Sequence, residues 1–427
     1  MNQDNSHDPA EYIRGIQQIL ISDKKRIGFL FGAGSSLAKK SEKSLIVPAI
    51  GQMTSEIIAK VGEVEKKYKK ALKEIEKELG KDNFNIETIL SNLEQKATFI
   101  GGGSLNSLNK KDFENLIVEI KKNVREMVSV HKVESDKIAS NDIVNELVHT
   151  DFANWIRQAE RKYPIEIFTT NYDFLFELGL ECNEVPYYDG FCGSLRPFFN
   201  PESVEDFSFL VNQTKLWKIH GSLGWHYDKD TEKILRVFPD DNDILIYPSS
   251  LKYKDSKKQP YESLLDRLSN FLKQGDSILI TCGYSWGDEH INSRIISSLK
   301  TNTTSHVIGL IFDKVDPMTN ESKIAKLGLE NSKISMYASR NAIIGCNFGE
   351  WRLKSEPTKD DTVNLNLYFD EDAHSSNDEE LKKELKGDEV WTGKGEFILP
   401  DFSKLVIFLN AMISDNEIKK LGQNVKK

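Results

Sequence analysis

The stretch Arg26–Lys40, RIGFLFGAGSSLAKK, decides the fold of this chain. Its run IGFLF has no polar face, which is typical of a strand buried on both sides in a parallel sheet. The strand stops at GAGSS, residues 32–36, where Ser35 and Ser36 add two hydroxyls. Because glycine tolerates positive φ and close approach to the backbone, GAGSS is either a plain strand-to-helix turn or a phosphate cradle. It lacks the full GxGxxG spacing, so it does not specify a hydride-transferring dehydrogenase.

Six further runs share this apolar, β-branched character and end in Gly, Asn, Asp or Ser. They are IEIFTTNYD (165–173), KLWKIHGS (215–222), DILIYPSS (243–250), SILITCGYS (277–285), HVIGLIFD (306–313) and NAIIGCNFG (341–349). Helical patterns separate them, which indicates a sheet covered by helices on each side. The sequence therefore predicts an α/β fold: a Rossmann-like doubly wound parallel sheet with a helical insertion and a small C-terminal appendage.

The predicted insertion covers residues 53–149, where apolar positions recur at three- and four-residue spacing and Glu-to-Lys pairs line the exposed face. Beyond residue 352 the composition becomes acidic and turn-rich. We expect a Rossmann-like domain formed by 1–52 and 150–352, the helical module at 53–149, and an appendage for packing or assembly at 353–427.

Composition excludes several classes of function. The net charge is -9, from 57 basic and 66 acidic residues that are interspersed, which argues against direct nucleic-acid binding. The polar N-terminus and the lack of a long apolar segment predict a cytoplasmic protein with no secretory signal and no membrane span. The four cysteines include no CxxC pair, so we expect no metal site.

Polar residues at strand ends are the candidates for chemistry, because open α/β sheets bind ligands there. Asn171 and Asp173 in FTTNYD offer an amide and a carboxylate on short side chains, although this motif by itself favours an Asn/Asp turn that caps the next helix. His220 in KIHGS has a side chain suited to removing a proton near neutral pH. A single histidine is more often structural, and His226 and His290 are further candidates.

The segment ITCGYSWGDEHIN follows another buried strand. Gly283 permits close backbone approach, and Ser285 or Asp288 can hydrogen-bond a ribose. Alternatively, Asp288 caps the helix that begins with EHIN.

These four motifs in this order, GAGSS, TTNYD, KIHGS and CGYSWGDEHIN, resemble the sirtuin-like superfamily. The resemblance runs from about Arg26 to Trp351, is concentrated in the motifs, and is more specific than any one of them. It implies a site for NAD at the carboxyl ends of the strands.

The resemblance also implies a role for each matching residue. The diphosphate of NAD would be lined by Gly32, Ala33, Gly34 and Ser35, with Ser36 as a further cofactor-binding residue. The catalytic set would be Asn171 beside the nicotinamide ribose, Asp173 at the carboxamide and His220 as general base. The adenosine ribose would be held by Gly283 and Ser285, with Asp288 as a further candidate.

This sequence departs from the protein deacylases of the superfamily, because it has neither their four-cysteine zinc module nor their GIPDFR loop. What remains resembles the bacterial anti-phage defence branch, whose members hydrolyse NAD and whose smaller module is helical. The length and tail resemble the stand-alone subunits that assemble with a HerA-type DNA-translocating ATPase.

We therefore expect an NAD hydrolase that releases nicotinamide and ADP-ribose, with NAD as substrate and no metal. It would act in abortive infection by NAD depletion, as a homo-oligomer gated by a HerA-type partner. The alternatives are an NAD-dependent protein deacylase or ADP-ribosyltransferase, and a nucleotide-sensing scaffold without turnover.

Overall fold

The computed structural model describes residues 6–133, 137–159, 161–228, 230–238, 259–316, 323–358, 361, 363–372 and 391–413. The predicted strand DILIYPSS, residues 243–250, and parts of the predicted appendage lie outside these ranges. Within them, no helix combines the length and the apolar character that a membrane span requires.

The described residues form fourteen α-helices and two short 3-10 turns. The helices are α1 Pro9–Ile21, α2 Ala33–Ser36, α3 Ile50–Val64, α4 Lys66–Leu79, α5 Ile86–Phe99, α6 Lys110–Val128, α7 Asn141–Val144, α8 Val148–Gln158, α9 Leu175–Cys182, α10 Pro201–Glu205, α11 Tyr261–Lys273, α12 Glu289–Thr301, α13 Lys323–Glu330 and α14 Phe402–Ala411. The 3-10 turns are Lys81–Asn83 and Leu365–Leu367.

Eighteen strands are formed by the same described residues. They are β1 Ser6–His7, β2 Arg26–Phe31, β3 Lys132–Val133, β4 Lys137–Ile138, β5 Glu166–Thr169, β6 Tyr187–Tyr188, β7 Phe191–Cys192, β8 Phe198–Phe199, β9 Thr214–Lys218, β10 Trp225–Asp228, β11 Lys233–Arg236, β12 Ser277–Cys282, β13 His306–Ile311, β14 Ile334–Ala338, β15 Asn341–Ile344, β16 Asn347–Trp351, β17 Phe369–Glu371 and β18 Gly395–Phe397.

The chain divides into two compact units. The first comprises Met1–Ala38, Thr150–Ile167 and Leu268–Lys427, and the second comprises Lys39–His149 and Phe168–Arg267. The predicted helical module thus clusters with residues 168–267. The division expected from the sequence, with boundaries at 52, 149 and 352, stays a prediction.

The first unit is built on a large, mostly parallel sheet. Seven of its strands follow the order β1-β16-β15-β14-β13-β12-β2, and β2, β12, β13 and β14 pair in parallel. Strands β12 and β14 are buried along their whole length, and β2 along all but its first residue. Burial on both faces explains why their sequences are continuously apolar rather than alternating. The predicted Rossmann-like α/β fold is confirmed.

One predicted strand is a hairpin. The run NAIIGCNFG forms β15 and β16, which pair antiparallel. Gly345 and Cys346 connect them with φ of +56° and +66°. Two successive left-handed residues are the requirement of a tight hairpin turn whose twist matches that of the strands. Prediction of a single strand here was therefore wrong.

Aromatic rings fill the core of the first unit beside β2. Phe29 and Phe31 stack with ring centroids 5.5 Å apart, and Phe152 of α8 meets both edge-on at 5.3 Å. The ring centroid of Phe402, from the predicted C-terminal appendage, lies 4.9 Å from that of Phe31. The start of α14 therefore contributes to this core.

The second unit has its own core, in which helices α3 to α7 meet the segments that follow β5 and β9. Apolar residues from α3, α4, α5 and α6 form one buried cluster, which also contains Leu175 and Leu223. A small sheet of order β10-β11-β8-β7 belongs to this unit, as do β9, β6 and the last two residues of β5, Phe168 and Thr169. Helices α3 to α6 fall in or overlap residues 53–149, and they share a core with residues next to the candidate catalytic motifs.

Candidate functional site

The GAGSS loop is held against the loop that follows β12, within the first unit. Gly32 N–H donates to the oxygen of Cys282 at 3.2 Å, and Gly34 N–H donates to the oxygen of Gly283 at 3.0 Å. Helix α2 follows Gly32 directly and is only four residues long. The helix dipole at this turn is therefore small, and the backbone N–H of Gly34 is already committed to Gly283.

Three glycines make this contact possible. A Cβ atom on Gly32 would lie 2.5 Å from the oxygen of Gly283, and one on Gly34 would lie 2.6 Å from the Gly283 Cα atom. Gly283 has φ of +65°, and its own Cβ would lie 2.5 Å from the Ser35 nitrogen. The glycines are thus explained by two backbones in close contact. Their predicted role in holding a diphosphate stays a prediction.

The remaining residues of the loop differ in exposure. Ser35 and Ser36 are buried, and the Ser35 hydroxyl donates to the oxygen of Gly32 at 2.9 Å. Ala33 is exposed. The two hydroxyls thus lie inside the fold, and the Ser35 hydroxyl closes the turn on itself.

The loop after β12 is fixed by its own side chains. Asp288 caps α12, because its Oδ1 accepts from His290 N at 2.8 Å and from Ile291 N at 3.2 Å, which is the alternative that the sequence left open. Ser285 is exposed, and its Oγ accepts from Gly287 N at 3.3 Å. Asn292 donates to the oxygen of Trp286 at 2.8 Å, and Trp286 has φ of +58°.

The predicted catalytic residues belong to the second unit. Asn171 and Asp173 are buried in the turn between β5 and α9. The backbone N–H of Asn171 donates to Thr169 Oγ1 at 3.0 Å, and Asp173 Oδ1 accepts from Leu175 N at 3.0 Å. The Asp173 carboxylate therefore accepts a bond from the first residue of α9, two positions along the chain, as in an Asx turn.

The structure brings the turns after β5 and β9 together. Ile219 N donates to the oxygen of Thr169 at 2.8 Å, and Leu223 N donates to the oxygen of Tyr172 at 3.1 Å. Half-buried His220 lies between these two bonded residues in the sequence. Gly221, with φ of +104°, makes the turn that follows it. Asn171, Asp173 and His220 thus occupy two hydrogen-bonded turns of one unit.

Two charged residues beside these turns, Lys218 at the end of β9 and Glu177 in α9, were missed by sequence reasoning. The Lys218 side chain is 4% exposed, and its Nζ lies 2.7 Å from Oε1 of Glu177, which is 14% exposed. Lys218 Nζ also donates to the backbone oxygen of Asp173. Burial raises the pKa of Glu177 to about 6, against the opposing effect of Lys218. Lys218 stands in the quoted motif KIHGS, but its partner is 41 residues away and no spacing rule finds it.

Two histidines near Asp173 were also missed. His131 is 3% exposed, and its ring meets Phe174 edge-on at 4.8 Å. Buried His149 meets Phe176 edge-on at 4.6 Å. Burial lowers the pKa of each to about 4, and the charge of Asp173 opposes this in both cases. Neither histidine stands in a motif, so the sequence holds no signal for them.

The other two candidate histidines lie elsewhere. His226 is half-buried on β10, and His290 is exposed in the first turn of α12. In the described residues, no group of three or more His, Cys, Asp or Glu side chains is arranged to hold a metal ion. All four cysteines are free thiols.

Comparison with known proteins gives one family. No curated protein matches the chain. Residues 165–336 match the family model described as the SIR2-like domain. The matched segment begins after GAGSS and includes Asn171, Asp173, His220 and the loop after β12. SIR2-like domains bind NAD. The match supports placing this segment of the chain, less than half of its length, in the sirtuin-like superfamily.

Proposed function

We propose that this protein hydrolyses NAD to nicotinamide and ADP-ribose. The observation that carries the proposal lies inside the SIR2-like segment, where the turns with Asn171, Asp173 and His220 are hydrogen-bonded to each other. An amide and a carboxylate can hydrogen-bond the substrate and an imidazole can accept a proton, so these groups on two adjoining turns can together assist cleavage of an N-glycosidic bond.

Each group has a proposed part in the reaction. Cleavage of the bond between nicotinamide and the ribose C1′ develops positive charge on the sugar while a neutral ring departs, so the site must fix the sugar and admit water. Asp173 binds the carboxamide, Asn171 positions the ribose and the attacking water, and His220 takes a proton from the ribose or that water. The chain is a glycohydrolase in this proposal.

The adenosine end of NAD has its own proposed residues. Gly32, Ala33, Gly34 and Ser35, with Ser36, contact the diphosphate, and the loop after β12 contacts the adenosine ribose through Gly283, Ser285 and Asp288. Exposed Ala33 and Ser285 support this assignment, because a ligand can reach both. Ser35 and Ser36 are buried, and the Ser35 N–H already donates to the oxygen of Gly32 at 2.9 Å, so neither residue supports the assignment as Ala33 does.

The biological setting rests on resemblance alone. We propose that the protein is cytoplasmic and acts in bacterial anti-phage defence, in which NAD depletion arrests the infected cell. Constant hydrolysis would harm the host, so activity is gated by assembly of a homo-oligomer with a HerA-type ATPase.

One experiment separates this function from its rivals. Purified full-length protein is incubated with NAD, alone and with the ATPase, and the products are resolved by chromatography. Release of nicotinamide and ADP-ribose without any peptide supports the proposal. A requirement for an acylated peptide would indicate a deacylase, and transfer of ADP-ribose to protein a transferase. NAD binding without products would indicate a sensing scaffold.

A further inference from the structure

We propose that Lys218 is a positioning residue, which holds the Asp173 turn in register with the His220 turn through its bonds to the Asp173 carbonyl and to Glu177. The inference rests on the proposed NAD hydrolysis and adds two residues to it. Lys218 and Glu177 act on the turns and do not contact substrate in this account.

The first support is the place of Lys218 in the chain. It is the last residue of β9, two residues before His220. Its Nζ donates to the backbone oxygen of Asp173, on the neighbouring turn. Two backbone bonds also join the turns, between Ile219 and Thr169 and between Leu223 and Tyr172. The lysine bond is the side-chain bond among these three, so it can be removed without altering the backbone chemistry.

The second support is the cost of burying this ammonium. A buried charge persists only where partners repay its lost hydration. Three contacts compensate Lys218 for its lost hydration: Glu177 at 2.7 Å, the Asp173 oxygen, and the face of the Phe174 ring, whose centroid is 4.9 Å from Nζ. All three partners lie on the Asp173 turn or on α9. A cation so enclosed fixes the turn in one arrangement.

Burial of the Lys218–Glu177 ion pair also carries a free-energy penalty. Among the described residues, Oε2 of Glu177 has no hydrogen-bond partner, although it is buried. A well-packed apolar pair would avoid this penalty, because buried ion pairs are often no more stable than hydrophobic replacements. Stability alone therefore does not account for Lys218 and Glu177, whereas positioning of the turn does.

The test compares Lys218→Met with the double variant Lys218→Met/Glu177→Met, which leaves no buried charge unpaired. Lys215→Met is the matched control. Lys215 is also buried on β9 and donates to a backbone oxygen, that of Leu210 at 2.6 Å, but this bond does not involve the Asp173 turn. Measurements are kcat and KM for NAD, the melting temperature, and amide exchange at Leu175 and Ile219.

We expect the double variant to keep its melting temperature while kcat falls about tenfold or more and KM changes less than about threefold, because small displacements of catalytic groups are costly. Lys215→Met should keep kcat. If the wild type turns over NAD and the folded double variant has the same kcat, the positioning role is overturned.

Absence of turnover in the wild type would instead reject the proposed function. In that case amide exchange decides the positioning role separately. Faster exchange at Leu175 and Ile219 in the double variant, but not in Lys215→Met, would support it. Equal exchange in the double variant and the wild type would overturn it.

Discussion

Gly34 N–H donates to the carbonyl oxygen of Gly283 at 3.0 Å, so two glycine loops from different strands share one backbone hydrogen bond. The bond requires that neither residue carry a side chain on the facing side. The loop after β2 is therefore shaped by the loop after β12.

Substitution of Gly283 by alanine should destabilise the first unit. The added Cβ would lie 2.5 Å from the Ser35 nitrogen, and φ of +65° is unfavourable for alanine. We expect a loss of about 1–3 kcal/mol in the free energy of unfolding. Gly51→Ala is the control, because a Cβ there meets nothing within 4 Å in helix α3, so it should be neutral or stabilising. Urea denaturation measures both. Equal effects would show that the close contact is absent.

Loss of the catalytic groups should affect turnover far more than folding. Asn171→Ala and His220→Ala should each lower kcat for NAD hydrolysis by about a hundredfold or more. Nicotinamide release gives the rate, and circular dichroism checks the fold. Undiminished NAD loss in both variants would reject the assignment of these residues.

Stability should fall in mild acid because of His131 and His149. Their pKa values of about 4 lie below the ordinary value of 6.5, so the unfolded chain binds more protons in that range. The contribution of the two neutral histidines to the free energy of unfolding is complete above about pH 6.5 and is lost as the pH falls towards 4. Glu177 acts in the opposite direction, since its raised pKa adds stability as the pH falls from about 6 to its ordinary value of 4.5. Because two histidines oppose one carboxyl, we expect a net loss in the free energy of unfolding as the pH falls.

The pH prediction has its own variant. His131→Phe keeps a ring against Phe174 and removes one titrating group. We expect a smaller difference in unfolding free energy between pH 7.5 and pH 5 for this variant than for the wild type. An identical pH dependence would mean that His131 is not buried in its neutral form.

The C-terminal helix should be part of the first unit's core. Phe402 is 2% exposed and contacts Phe31, so Phe402→Ala should cost about 3–5 kcal/mol. Ile407, on the same helix, is 37% exposed and provides the matched control, for which we expect a much smaller cost. Thermal denaturation compares them. Similar losses for both would contradict the packing described for α14.

Most of the longer strands were predictable because they are buried on both faces. Strands β2, β5, β9, β12 and β13 all stand in apolar runs that the sequence marks plainly. Strand β14 escaped prediction because Ser335 interrupts its apolar pattern. In the structure that serine is buried, and its Oγ pairs with His306 Nε2 at 3.0 Å, which offsets the cost of burying it.

Only those residues of the candidate site that stand in the motifs were predictable from the sequence. Asn171, Asp173 and His220 stand at strand ends, where the fold class itself directs attention. Lys218, Glu177 and His131 depend on contacts between residues far apart in the chain, and such contacts leave no periodic trace in sequence. The capping bonds of Asp288 were predictable in kind, because an Asp directly before a helical pattern is a common cap.

The shared core of the second unit limits how its helices can be exchanged during evolution or in design. Leu175 follows Asp173 by two residues and Leu223 follows His220 by three, and both belong to the same apolar cluster as α3 to α6. A helical segment from another protein that replaces α3 to α6 would need side chains complementary to both leucines. Without them, the transplant would leave voids directly beneath the turns that carry the candidate chemistry.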